Sequence, residues 1–197
     1  MSTEQIKLND EPAKYLWLIV LVLGLIGVFV VFLTEPPGVL LGEGGHAIKG
    51  ALHGAAAILF MITATVGLYQ GYRIFAGQAR SLAELQIGRV VNATLAFITI
   101  LLGNWIYIPY RATGGPREYF LQTSPEIHKI FFEFKEFVAL FTLPLAVSAA
   151  FLLVYYGVQA VRQRGLAVVT SILLALVFFY FFVAFGLGAA ITKLKAV

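Results

Sequence analysis

HAIKGALHGAAAILFMITATVGLYQGYRIF, residues 46–75, decides the fold. From Gly50 to Tyr72 no Asp, Glu, Lys or Arg interrupts it. A bilayer core is crossed by about 20 apolar residues in helical form, so the stretch predicts a membrane-spanning helix. It also holds two of the chain's three histidines, His46 and His53. Their seven-residue separation is almost two helical turns, which places both imidazoles on one face. Gly50, Gly54, Ala55 and Ala57 surround them with small side chains.

The rest of the chain repeats the pattern. Apolar segments of spanning length run over about 14–34, 84–110, 126–161 and 166–192, joined by short connections. The expectation is an all-α, polytopic integral membrane bundle of five transmembrane helices, a single domain over 1–197. A mean hydropathy of +0.88 supports this. So do 60% hydrophobic and only 12% charged residues, which lie far from soluble usage. The net charge of +4 is dispersed and forms no basic patch for nucleic acid; the Lys and Arg read as anchors near lipid head groups. Cysteine is absent, which excludes disulfides, thiolate metal sites, iron–sulfur ligation and C-x-x-C-H haem attachment. The acids Glu4, Asp10 and Glu11, followed by a long apolar run, speak against a cleavable signal peptide. No Walker loop, Gly-x-Ser-x-Gly or His-Glu-x-x-His motif is present.

With five spans, let side A be the face holding the N-terminus and side B the other. Side A receives Lys7, Lys14, Arg73, Arg80, Arg89, Arg162 and Arg164; side B receives Lys49, Arg111, Arg117, Lys129, Lys135, Lys193 and Lys195. The count is tied, so orientation rests on the short basic turns of side A and the acids gathered on side B. These place the N-terminus in the cytoplasm of a cytoplasmic, inner or other energy-transducing membrane.

All three histidines fall on side B, and ionisable groups at membrane depth are read first as functional. Ser124-Pro125-Glu126 is a good helix start, which sets His128 one turn into its helix. His128 opposite His46 or His53 suggests bis-histidine ligation of one b-type haem, with Gly50 and Gly54 leaving room for the macrocycle. Phe131, Phe132, Phe134, Trp105 and Tyr107 are candidate walls, and Lys49, Arg111, Arg117 and Lys129 candidate partners for the propionates. Asn104 is a candidate donor to a haem edge or a quinone carbonyl. Two other readings stand beside this one. Gly50-x-x-x-Gly54 also matches a helix-packing motif. Glu126, Glu133 and Glu136, near one helical face, could join the histidines around non-haem iron or another transition metal, although an i,i+4 pair of Lys129 with Glu133 accounts for part of that pattern. Asn92, Thr94, Thr99, Thr170 and Ser171 read as interhelical hydrogen-bonding residues, and Pro144 as a kink.

With His46 or His53 facing His128 across a glycine-lined bundle, residues 46–193 resemble the four-helix b-type cytochromes, the cytochrome b561-like membrane subunits. That resemblance implies an electron-transfer subunit of a respiratory or photosynthetic redox complex, with other membrane redox subunits and quinone as partners. The family pattern supplies ligands for two haems; side A here has no histidine, so one haem is expected. The competing classes are a cofactor-free accessory or scaffold subunit and a membrane non-haem metal enzyme.

Overall fold

The structure is a computed structural model that describes residues 47–195. The expected first helix (14–34) and His46 lie outside the described residues. Within them the order is α1 (Ala47–Phe75), α2 (Leu82–Arg111), α3 (Pro116–Thr123), a π-helical turn (Ile127–Phe132), α4 (Glu133–Tyr155), α5 (Gln159–Arg162) and α6 (Arg164–Leu194). Four stretches are long and apolar enough to cross a membrane: Ile48–Phe75, Leu82–Arg111, Ile127–Tyr155 and Arg164–Leu194. The described part is thus an all-helical membrane bundle of four spans.

Local sequence sets the boundaries. Gly77, at φ +70, closes α1. The Gln78 N–H donates to Arg73 O (2.7 Å) and the Gly77 N–H to Ile74 O (3.1 Å), the pair of bonds that satisfies a helix end through a left-handed glycine. α2 opens on Ser81, whose Oγ accepts from the Glu84 N–H at 3.2 Å. The segment expected as one helix over 126–161 is two: the chain turns at Tyr156–Val158, with Gly157 at φ +53, before the single turn of α5. Gly157 is the physical reason, since a left-handed residue cannot continue a right-handed helix. Pro144 and Pro109 both sit within continuous helices. The expected long connection over 111–125 contains α3, begun by Pro116 at its first position.

α1, α2, α4 and α6 pack as a closed ring in chain order, each against two neighbours, while the diagonal pairs α1/α4 and α2/α6 make no extensive contact. This is an up-down-up-down bundle. Small side chains let the backbones approach: Ala56, Ala57, Ala64, Ala96, Ala146, Ala149, Ala150 and Ala184 are all buried. Phe60 and Phe181 meet at the centre, ring centroids 4.0 Å apart. Isoleucines and aromatics such as Ile62, Phe97, Phe141, Phe151 and Phe179 point outward, as lipid contact requires.

Of the expected interhelical polar residues, Asn92 donates to Thr63 Oγ1 (2.9 Å) and Ser171 to Gly71 O (2.8 Å). Thr94 instead bonds back to Val90 O on its own helix. The Oγ1 atoms of Thr99 and Thr170 are buried with no partner among the described residues.

Arg89 was expected among the interfacial residues of side A, but it is 1% exposed and points into the bundle. Its Nη2 donates to Gln70 Oε1 (2.9 Å), and Gln70 Nε2 donates to Glu84 Oε1 (3.0 Å). Arg89 Nε and Nη1 have no partner among the described residues. Nη1 occupies the place where a Cβ on Gly67 would stand, so the guanidinium fits only because residue 67 is glycine. Arg89 lies two turns inside α2, and its long side chain had been placed by position rather than by the face it occupies.

Candidate functional site

The side B half of the bundle encloses a cavity of about 540 Å³. All four long helices contribute: Gly50, His53, Gly54 and Ala57 from α1; Thr99, Gly103 and Asn104 from α2; Lys135, Glu136 and Ala139 from α4; Ala184, Gly188 and Lys193 from α6. Phe60 and Phe181, the central pair, form its floor, and Phe132 and Tyr107 border it towards side B. The volume lies in the range of small-molecule and cofactor sites, as does a largely apolar wall with a few polar groups.

His53 is oriented within it. Nδ1 lies 3.0 Å from the carbonyl oxygen of Thr99. A carbonyl only accepts, so Nδ1 carries the proton and Nε2 keeps its lone pair. No described residue hydrogen-bonds to Nε2. A Cβ at Gly103 would come within 3.1 Å of His53 Cε1, so α2 passes the ring closely only because of that glycine. Thr99 also borders the cavity, and its Oγ1 is buried without a hydrogen-bond partner among the described residues.

A Cβ added at Gly50 or Gly54 would meet nothing within 4 Å among the described residues. Both glycines line the cavity beside His53.

His128 is placed differently. It is 3% exposed, yet it does not line the cavity. Arg117 Nε donates to its Nε2 (3.2 Å), and Nδ1 lies 3.0 Å from Tyr110 Oη. An arginine only donates, so Nε2 accepts and Nδ1–H donates to the tyrosine. Both ring nitrogens are engaged. Phe132 stacks on Tyr110 at 4.1 Å and lies against the imidazole at 5.7 Å, so His128 belongs to an aromatic cap on the side B end, with Phe120 and Ile191. Glu133 Oε1 is 3.9 Å from His128 Nε2, too far for a hydrogen bond.

The structure therefore brings His53, Gly50, Gly54 and Glu136 together at one cavity and leaves His128 behind Phe132. Lys49 instead stacks over the outward-facing Trp105 at 4.8 Å, and Arg111 over Tyr107 at 4.4 Å, at the cavity's edge. Arg117 serves His128, and Lys129 is exposed. Phe131 and Phe134 face outward. Among the described residues no three His, Asp or Glu side chains converge as metal ligands, so Glu126, Glu133 and Glu136 do not form the mixed site with His53 and His128. The expected Lys129–Glu133 pair is also absent among the described residues. The π-helical turn explains both outcomes. The Glu133 N–H reaches back to His128 O, five residues earlier, which alters the spacing on which those faces were drawn.

The sequence does not single out Gly103 or Gly188; it marks Thr99 only as an interhelical hydrogen-bonding residue and Lys135 and Lys193 only as side B cations. Isolated glycines inside apolar helices and a lysine eight residues into a span were the available signals. No protein-family model matches the chain, and comparison with curated proteins and with solved structures returns no match.

Proposed function

We propose that the chain is a membrane electron-transfer subunit that holds one b-type haem in the side B cavity, with His53 as an axial ligand. The observation that carries this reading is the fixed imidazole. A ligating histidine typically gives its second N–H to a carbonyl or carboxylate, which sets the tautomer and ring orientation. His53 makes that bond to Thr99 O and leaves Nε2 unpartnered in a cavity walled by all four helices. Gly50 and Gly54 give a flat ring access.

Bound there, haem would supply one-electron chemistry, while the protein sets its potential through ligands, burial and nearby charge. The residues of this chain hold and orient it. Thr99 O fixes the His53 ring, Phe60 and Phe181 close the floor, and Asn104 and Lys193 stand where α2 and α6 approach side B, suited to propionates. The resemblance to cytochrome b561-like subunits points the same way, with a quinone or a neighbouring redox subunit as electron partner. The small aqueous surface suits a place inside a larger redox complex.

The test is spectroscopic. Full-length protein, expressed with haem supplementation and purified in detergent, is expected to show α-band absorption in the reduced-minus-oxidised difference and one haem per chain by pyridine haemochrome. His53→Ala should remove the haem. A wild-type protein without haem would sink the reading in favour of a cofactor-free accessory subunit.

A further inference from the structure

We propose that Lys135 is the second axial ligand, so that the haem is held by histidine and lysine from opposite corners of the bundle. This rests on the haem reading of the cavity. α1 and α4 are one diagonal of the four-helix ring, and α2 and α6 the other. His53 lines the cavity from α1 and Lys135 lines it from α4, the two helices of that diagonal.

On the other diagonal a glycine stands beside each of these side chains. α2 carries Gly103 beside the His53 ring, and α6 carries Gly188, where a Cβ would lie 3.5 Å from Lys135 Cε. A macrocycle lying between α2 and α6 would present its two faces to α1 and α4.

Lys135 has no hydrogen bond and no carboxylate within 4 Å among the described residues; its ammonium rests over the Phe132 ring at 5.0 Å. An ionisable side chain inside a span is costly and is read first as functional. His128, the alternative on the same helix, has both ring nitrogens bonded and does not line the cavity. Ligation takes the neutral amine. The ammonium would release its proton to solvent on ligation, which would leave the Nζ lone pair free to hold the iron.

The test compares haem-loaded full-length variants by absorption and electron paramagnetic resonance. The wild type is expected to be low-spin. Lys135→Ala should turn high-spin while keeping haem through His53, and n-propylamine should restore the low-spin spectrum. If Lys135→Ala loses haem on purification, reconstitution with haemin and n-propylamine should recover it, and failure to do so counts against the proposal. Lys135→Arg keeps the charge but cannot ligate, so it too should be high-spin; a low-spin Lys135→Arg would mean that residue 135 only pairs with a propionate. His128→Gln should leave the wild-type spectrum unchanged. A low-spin Lys135→Ala without added amine, or a high-spin His128→Gln, would overturn the ligand assignment and leave the haem reading standing. A wild type without haem overturns both.

Discussion

Glycine serves this bundle in two opposite ways, seen at Gly50 and Gly54 on one side and at Gly67 on the other. On side B, Gly50 and Gly54 face open space, and a cavity of about 540 Å³ separates the helices. On side A, Gly67 faces a filled space, because the Arg89 guanidinium lies where its side chain would be. Both ends contain polar nitrogen without a hydrogen-bond partner among the described residues: His53 Nε2 beside the cavity, and Arg89 Nε and Nη1 in packed surroundings. The difference teaches that missing side-chain volume means nothing until its neighbour is known. A small residue can keep helices apart for a guest or make room for a resident side chain.

The sharpest way to break this contrast is Gly67→Ala. The added methyl must expel the Arg89 guanidinium, and overpacking with loss of a buried polar contact is expected to destabilise the protein by about 3 kcal/mol. Intrinsic tryptophan fluorescence during thermal unfolding in detergent would read this. A stability equal to wild type would mean that Arg89 is not seated against α1. Next in size is His128→Ala. Loss of the bonds to Tyr110 and Arg117 should cost about 2 kcal/mol in the same assay and leave both polar partners exposed to cleavage near α3.

Gly50→Ala and Gly54→Ala should move the other way. Their Cβ atoms meet nothing, so the gain in helix propensity is worth about 1 kcal/mol at most in the empty protein. The same substitutions should weaken retention of whatever fills the cavity. Equal stabilisation of empty and loaded protein would break the idea that these glycines serve a guest. The smallest expected effect is Ser171→Ala. It removes the hydroxyl that bonds Gly71 O across α1 and α6 and lowers stability by about 0.6 kcal/mol.

The spans were legible because a bilayer demands long apolar runs, and α1 ends within a residue of the expected boundary. The grouping of His53 with Gly50 and Gly54 was legible too, since two turns of small residues around an imidazole are conspicuous within a span. What the sequence hid was azimuth. His128 and His53 had suitable depths, but depth along a helix does not say which way a side chain faces. The π-helical turn altered the spacing at His128, Lys129 and Glu133, and no propensity signals such a turn. Arg89 was misplaced for a related reason. It was counted by distance from a helix end, whereas its face, opposite Gly67, turns it inward. Gly103 and Gly188 draw no attention alone, because their role appears only once His53 and Lys135 are beside them.

The turn over Ile127–Phe132 has one more consequence. An α-helix advances about 100° per residue, so one residue added or removed there rotates everything beyond it by that angle. The segment acts like a vernier between two scales: its near side keeps His128 and Phe132 among the cap aromatics, and its far side delivers Lys135 and Glu136 to the cavity. Deleting a single residue from it would leave the composition and hydropathy of the span almost untouched. It would nevertheless swing the far half of the helix so that Lys135 met lipid and an apolar side chain took its place at the guest.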